Sequence, residues 1–179
     1  MTAPRELRTE RLLLHPFTEQ DIPDLVRLAG MREIAATTLH IPHPYTQTDA
    51  SSFIANTEQQ YRLGLAAVFA VAALASGDLR GAVGLSIHPG HHRAELGYWI
   101  GVPYWGQGLA TEAVRAVVAF GFGELGLHRI FASHFSGNTA SRRVLEKVGM
   151  RPEGRWREHV RKFGQFTDVE NFGLLASDI

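Results

Sequence analysis

Three apolar runs follow one another in the middle of the chain. They span Ala66 to Leu74, Arg80 to His88 and Arg93 to Val102, and their length and composition are typical of strands. The turn signals Ser76-Gly77-Asp78 and Pro89-Gly90 separate them. Because short turns join neighbouring strands in antiparallel order, this pattern predicts an antiparallel meander.

The apolar period changes after the meander. Apolar residues then recur at the spacing of one helix face, at Ala110, Ala113, Val114, Val117 and Val118. The glycines from Gly121 to Gly126 predict the end of this helix. A strand is predicted over His128 to Phe135 and a second helix over Asn138 to Val148, with Gly149 as its stop.

The N-terminal third mixes one short strand with two helices. Arg11 to His15 predicts the strand, and Thr18 opens a helix whose apolar positions continue to Leu28. The proline-rich stretch from Leu39 to Thr48 predicts a loop. Thr48 or Asp49 is expected to cap the next helix, which runs to about Tyr61.

Two further strands, around Trp156 to Lys162 and Thr167 to Leu175, complete the pattern. The chain is therefore expected to be of the α/β class in its α+β form. It should have about six or seven strands and about four helices in one domain over residues 1–179.

Composition excludes several classes of protein. The chain has no cysteine, which rules out disulfides, thiolate nucleophiles and cysteine-ligated metals. Its 18 Lys and Arg balance 18 Asp and Glu, which argues against nucleic-acid binding. The longest apolar run, Leu63 to Ala75, is shorter than the ~20 residues of a membrane span. With no signal-peptide pattern at the start, we expect a cytoplasmic protein that does not enter a membrane.

The stretch Tyr104 to Ala113, YWGQGLATEA, predicts an anion site. Two glycines between a strand and a helix let the amides of Gln107 to Thr111 point at one phosphate group. A P-loop is excluded because the stretch has no lysine, and a dinucleotide fingerprint is disfavoured by Thr111 at its third glycine position. An ordinary loop ahead of a helix is the alternative.

A second motif, NTASRRVLEKVGM from Asn138 to Met150, brings out a family resemblance. With YWGQGLATEA, it resembles the GNAT superfamily of acetyl-coenzyme A-dependent N-acetyltransferases. The segments LRTERLLLHP, PHPYTQTDASSFI and RAELGYWIGVPYWGQGLATEA resemble its RimJ/RimL-like branch, and the resemblance covers nearly the whole chain. It implies a GNAT-like fold, with a mixed, mostly antiparallel sheet that is splayed at the coenzyme site.

The resemblance also implies an acetyl-CoA site. The family's phosphate motif maps onto Trp105 to Ala110, with Trp105 departing from its first position. It assigns the pyrophosphate to the turn residues Gly106, Gln107, Gly108, Leu109, Ala110 and Thr111. Main-chain groups of Ile100, Gly101 and Val102 would pair with the pantetheine arm, which Asn138 and Ser141 would face. For Asn138, a helix N-cap is the alternative.

The mechanism that the resemblance implies is direct attack of an amine on the thioester. Glu95 is the candidate base, since burial among apolar neighbours would raise its pKa; an exposed ion pair is the alternative. An amide near Gly101 and Val102 would stabilise the oxyanion. Many relatives carry a tyrosine where this chain has Leu145, so Ser141 is the candidate proton donor to the thiolate. A local backbone partner is its alternative role.

The acceptor pocket is expected between the proline-rich loop and the last two strands. In this branch His40, His43 and Tyr45 would line it, with Trp156 opposite. A metal site at His88, His91 and His92 is disfavoured, because no carboxylate joins them at ligand spacing.

The acceptor itself stays open at this stage. A protein N-terminus, ribosomal by analogy, leads over a small amine such as an antibiotic, polyamine or amino acid. A coenzyme-binding sensor without catalysis is a further alternative, and either a monomer or a homodimer fits the sequence.

Overall fold

The computed structural model describes residues 5–179, and its strands form one sheet of eight in the order β1-β2-β3-β4-β5-β6-β8-β7. The strands are β1 (Leu7–Arg8), β2 (Leu12–His15), β3 (Ala66–Ala73), β4 (Leu79–His88), β5 (Arg93–Ile100), β6 (Arg129–Phe135), β7 (Arg151–Lys162) and β8 (Gln165–Leu175). The α-helices are α1 (Ile22–Ala29), α2 (Arg32–Thr37), α3 (Gln47–Arg62), α4 (Leu109–Gly123) and α5 (Thr139–Lys147). The predicted mixed, mostly antiparallel sheet is confirmed.

The one parallel contact in the sheet is short. β5 pairs with β6 only from Arg93↔Arg129 to Glu95↔Phe131, although β5 stays paired with β4 as far as Ile100. Beyond Glu95 the two strands therefore separate, and a gap opens between them. The predicted splay is confirmed.

Helices cover both faces of the sheet and enclose two apolar cores. In the first core α4 packs on β4 and β5, with Val114, Val117 and Leu145 fully buried. In the second core α1 and α3 pack on β4 and β3, around Leu28 and Ala50. Since α1 and α3 lie on β3 and β4, the same face of β5 and β6 stays open at Glu95 and Ser133, which are exposed.

The structure adds one strand and one helix to the prediction. β1 has two residues and α2 has six, which is too short for a periodic pattern to show. The N-cap of α3 is Thr46, not Thr48 or Asp49. The Thr46 hydroxyl accepts from the Asp49 amide, and the Asp49 carboxylate accepts from the Thr46 amide. α4 also continues past Gly121, where a Cβ would lie 2.8 Å from Ile130 Cδ1, so this glycine allows close packing on β6.

In residues 5–179, no helix combines the length and apolar character that crossing a membrane requires.

Candidate active site

The glycine turn leads directly into α4. Gly106 and Gly108 have φ angles of 74° and 78°, a left-handed conformation that glycine adopts without steric cost. The first helical bond of α4 runs from the Glu112 N–H to the Gly108 carbonyl. The amides of Leu109, Ala110 and Thr111 therefore precede the helical hydrogen bonds and can bind a ligand.

The side chains of the turn hold it in place. Leu109 is buried in the first core, Ala110 is partly buried against it, and Gly106 and Gly108 are exposed. Gln107 is also exposed, with its side-chain amide 3.4 Å from the Pro103 carbonyl. Trp105 donates from its indole nitrogen to the Ile100 carbonyl at 2.5 Å. The turn is thereby tied to the end of β5.

The unpaired main-chain groups of β5 belong to earlier residues than the sequence predicts. The Gly101 amide donates to the Arg80 carbonyl at 2.8 Å, and the carbonyls of Gly101 and Val102 accept bonds from the turn that follows. Because bonding direction alternates along a strand, the main-chain groups of Tyr98 and the amide of Ile100 point into the gap, while the Ile100 carbonyl accepts from Trp105. The predicted pairing edge at Ile100 to Val102 is thus wrong for Gly101, whose amide is occupied.

The N-terminus of α5 lies on the side of the sheet that carries the first core. The Asn138 side chain accepts from the Ser141 amide at 3.1 Å, so Asn138 has the N-cap role held open as its alternative. The Ser141 hydroxyl lies 2.7 Å from the Tyr98 hydroxyl, which also lies 3.2 Å from the Ser141 carbonyl. Ser141 therefore has a side-chain partner on β5.

Tyr98 is a site residue that sequence reasoning missed. Burial raises its pKa to about 12, and the bond to Ser141 opposes this shift. Its phenol consequently stays protonated at neutral pH and can donate to Ser141. Its place in the alternating strand, among residues that face the first core, was the available signal. Leu145, where relatives carry tyrosine, is fully buried in that core.

Glu95 lies at the point where β5 and β6 separate. Its side chain is exposed, opposite Phe131 on β6 and Ser86 on β4. The expected burial is therefore wrong. By strand alternation, Glu95 projects from the face opposite that of Tyr98. A group in the gap would lie between these two faces.

The predicted acceptor residues lie on two segments that meet. His40 and His43 are exposed in the loop between α2 and α3, and Tyr45 is partly buried against the second core. Burial and the nearby Asp49 raise the pKa of Tyr45 to about 12. Trp156 on β7 is 53% exposed, with its ring 4.5 Å from that of His159. Its pairing with Val169 places it on the Glu95 face of the sheet.

The tip of the β7–β8 hairpin contacts the acceptor loop directly. Lys162 Nζ donates to the Leu39 carbonyl at 3.1 Å and to the Ile41 carbonyl at 2.9 Å. Burial lowers the pKa of Lys162. The two bonds join the loop to the end of the hairpin.

The end of β4 and the turn after it carry three histidines. His88, His91 and His92 are exposed, and the described residues contain no cluster of three potential metal ligands.

Comparison with known proteins identifies the family. Residues 11–151 match the model of the acetyltransferase (GNAT) domain. The N-acetyltransferase p20 of Bacillus licheniformis, itself uncharacterized, is 31% identical over 174 residues, which is 96% of this chain and 97% of p20. YdaF of Bacillus subtilis, provisionally named a ribosomal N-acetyltransferase, is 34% identical over 106 residues, covering 59% of this chain and 58% of YdaF.

Comparison with solved structures gives the same family. The crystal structure of a GNAT-family acetyltransferase from Bacillus anthracis superposes with a TM-score of 0.86 at 26% identity, over 97% of this chain and 99% of that one. The resemblance drawn from the two sequence motifs is confirmed. This chain belongs to the GNAT family and is an acetyl-CoA-dependent N-acetyltransferase.

Proposed function

We propose that the enzyme acetylates the α-amine of a protein N-terminus, with a ribosomal-protein-like acceptor in the cytoplasm. The observation that carries the proposal is the contact in which Lys162 joins the β7–β8 hairpin to the Leu39–Ile41 loop. We infer that the loop and the hairpin bound a groove that admits an extended chain end. The provisional ribosomal name of YdaF supports the same acceptor.

The described residues fit acetyl-CoA as the donor. Amides of Leu109 to Thr111, at a helix N-terminus, suit a pyrophosphate group. Beyond the split from β6, the main-chain groups of Tyr98 and the Ile100 amide are free and can pair with the amide-containing pantetheine arm. Because the glycine turn follows the Ile100 end of β5, the acyl group would lie towards Glu95.

The reaction proceeds by direct attack in a ternary complex. The acceptor nitrogen forms a bond to the thioester carbonyl carbon, and the carbon–sulfur bond then breaks. The nitrogen loses one proton, which Glu95 accepts directly or through a water, and the leaving thiolate gains one proton. Exposure leaves Glu95 accessible to the acceptor from the open face.

Groups on β5 and α5 stabilise the two negative charges that develop on the thioester, at its carbonyl oxygen and at the leaving sulfur. The Tyr98 amide, which points into the gap, is better placed than the occupied Gly101 amide to stabilise the oxyanion. Ser141 passes its hydroxyl proton to the thiolate and takes one from water, and the Tyr98 hydroxyl at 2.7 Å orients the serine hydroxyl. Asn138 acts here through its cap of the α5 N-terminus.

Acid–base chemistry favours an α-amine over a lysine as acceptor. An α-amine is roughly 10 to 15% neutral at pH 7, whereas a lysine amine is neutral in less than ~0.1% of molecules. This difference amounts to roughly 3 kcal/mol of deprotonation. For a site with an exposed base, deprotonation therefore costs less free energy when the acceptor is an α-amine than when it is a lysine.

The test is release of coenzyme A thiol from acetyl-CoA with peptides, polyamines and aminoglycosides as acceptors. The absence of cysteine removes protein background from a thiol assay. We expect turnover with free peptide N-termini, none with N-acetylated peptides, and at least a tenfold loss of kcat in Glu95→Gln. Glu58→Gln, at an exposed α3 ion pair with Arg62, is the matched control.

Other outcomes would replace the proposal. Turnover confined to small amines would assign a small-molecule acceptor. Tight coenzyme binding without turnover on any acceptor would favour a coenzyme-binding module.

A further inference from the structure

The Arg11 side chain reaches from β2 to the coenzyme turn. Its Nε donates to Glu112 Oε2 at 2.7 Å, and a second guanidinium nitrogen lies 2.7 Å from the same oxygen. The remaining nitrogen, Nη1, donates to the Gln107 carbonyl at 3.0 Å. One guanidinium therefore joins the first turn of α4 to the glycine turn that precedes it.

Glu112 is built into this contact as a charged group. Its Oε1 also accepts from the Thr9 hydroxyl at 2.6 Å and from the Arg11 main-chain amide at 2.8 Å. Burial alone would raise the pKa of Glu112, but the bonds from Thr9 and Arg11 outweigh burial and lower it. The carboxylate stays ionised beside a helix N-terminus, where Arg11 neutralises it.

The bond to Gln107 sets the direction of the next amide. A trans peptide is planar, so a carbonyl held on one side sends the amide N–H of the following residue to the other side. When Arg11 holds the Gln107 carbonyl, the Gly108 N–H points away from Arg11. The guanidinium also lies against Gly108, since a Cβ at that position would be 3.6 Å from Arg11 Nη2.

Arg11 and Glu112 are also accessible to a ligand. They line a cleft of about 650 Å³ together with Gly108 and Thr111 of the anion-binding turn. A change at Arg11 would thus alter both the orientation of the turn amides and the charge beside them.

We propose that Arg11 is a positioning residue for the coenzyme's pyrophosphate. Arg11 acts through the Gln107 carbonyl and through neutralisation of Glu112. This role rests on the coenzyme site proposed above. Without Arg11, the Gln107–Gly108 peptide can rotate, and the Glu112 carboxylate opposes the approach of the phosphates. The predicted defect is confined to the pyrophosphate end of the donor.

The experiment compares two acetyl donors in Arg11→Gln. S-acetyl-pantetheine carries the reacting thioester but lacks the pyrophosphate and the nucleotide. We expect the KM for acetyl-CoA to rise about tenfold, the size of one charge-assisted hydrogen bond, with kcat unchanged. The KM for S-acetyl-pantetheine should stay within about twofold of wild type, because the acyl end of the site is intact.

Three further variants and a stability measurement sharpen the test. Arg11→Lys keeps the charge but cannot bond Glu112 and Gln107 together, so it should restore only part of the affinity. Arg62→Gln, which breaks an exposed Arg–Glu pair on α3, should leave both KM values unchanged. Glu112→Gln with Arg11→Gln removes the repulsion, so it should bind acetyl-CoA more tightly than Arg11→Gln alone. Melting temperatures show whether the variants fold. Arg11→Gln and Arg11→Lys both keep the main-chain amide that donates to Glu112.

Three results would overturn the proposal. They are an equal rise in KM for both donors in Arg11→Gln, no change in either KM, and a wild-type KM for acetyl-CoA in Arg11→Lys. A different result would refute the coenzyme site and not the role of Arg11. In that case the wild type would use acetyl-CoA no better than S-acetyl-pantetheine.

Discussion

The Tyr98 hydroxyl offers a sharp test of the active-site arrangement. Tyr98→Phe removes one oxygen and keeps the ring that packs against the first core. The lost group lies 2.7 Å from the Ser141 hydroxyl, and its pKa of about 12 keeps it protonated throughout the usual assay range. The phenol can therefore donate to Ser141 throughout that range.

The structure sets the expected size of the effect. One buried neutral hydrogen bond contributes about 1 kcal/mol, so Tyr98→Phe should lower the free energy of unfolding by about that amount. If Ser141 then loses its alignment, a rise of about 1.4 kcal/mol in the activation barrier lowers kcat about tenfold. KM for acetyl-CoA should change little, because the turn amides and the β5 main chain are untouched.

The assay is steady-state thiol release for Tyr98→Phe, Ser141→Ala and the double variant. Since Tyr98 acts through Ser141, the double variant should be no slower than Ser141→Ala alone. The ratio of wild-type to Tyr98→Phe kcat should stay constant between about pH 6 and 9, well below the Tyr98 pKa. Tyr61→Phe, at another tyrosine packed against the first core, is the control.

Either of two results would show that Tyr98 does not act through Ser141. In one, a folded Tyr98→Phe enzyme keeps its kcat within twofold while Ser141→Ala loses activity. In the other, the two losses multiply in the double variant, which would mean that Tyr98 and Ser141 act independently.

Three further predictions concern pH, the acceptor groove and the glycine turn. Glu112 has a folded pKa below its ordinary value of 4.5, so its stabilisation is present above that value and is lost as pH falls through the folded pKa. Chemical denaturation should therefore show a stability gap between wild type and Glu112→Gln that is constant from pH 7 to about 5 and shrinks in more acid solution; a gap that widens there would contradict the assignment. Lys162→Met removes both bonds to the Leu39 and Ile41 carbonyls and should raise the KM for peptide acceptors about threefold or more, with KM for acetyl-CoA unchanged; equal changes in both constants would argue against a groove specific to the acceptor. Gly108→Ala forces an alanine to a φ of 78°, which costs about 1–2 kcal/mol, and calorimetry should show weaker coenzyme A binding with a modest fall in melting temperature; unaltered binding would show that this conformation is not needed.

The order of the elements and the place of the glycine turn before α4 follow from the amino-acid sequence. The apolar runs of β3 to β5 and the helical period in α4 report local burial, which each segment displays in its own residues. The two glycines ahead of α4 announce a left-handed turn, because other residues adopt that conformation at a cost. The family followed from that turn and the Asn138 motif read together.

Tertiary structure alone decided the exposure of Glu95 and the partners of the key side chains. Glu95 has apolar neighbours in sequence, yet it lies where β5 and β6 separate on the face that the helices leave open. Ser141 bonds a tyrosine 43 positions away, Arg11 a carboxylate 101 positions away, and Lys162 a carbonyl 121 positions away. Periodicity records whether a residue is buried over a few neighbouring positions, whereas these contacts depend on how distant segments are brought together by the order and splay of the sheet.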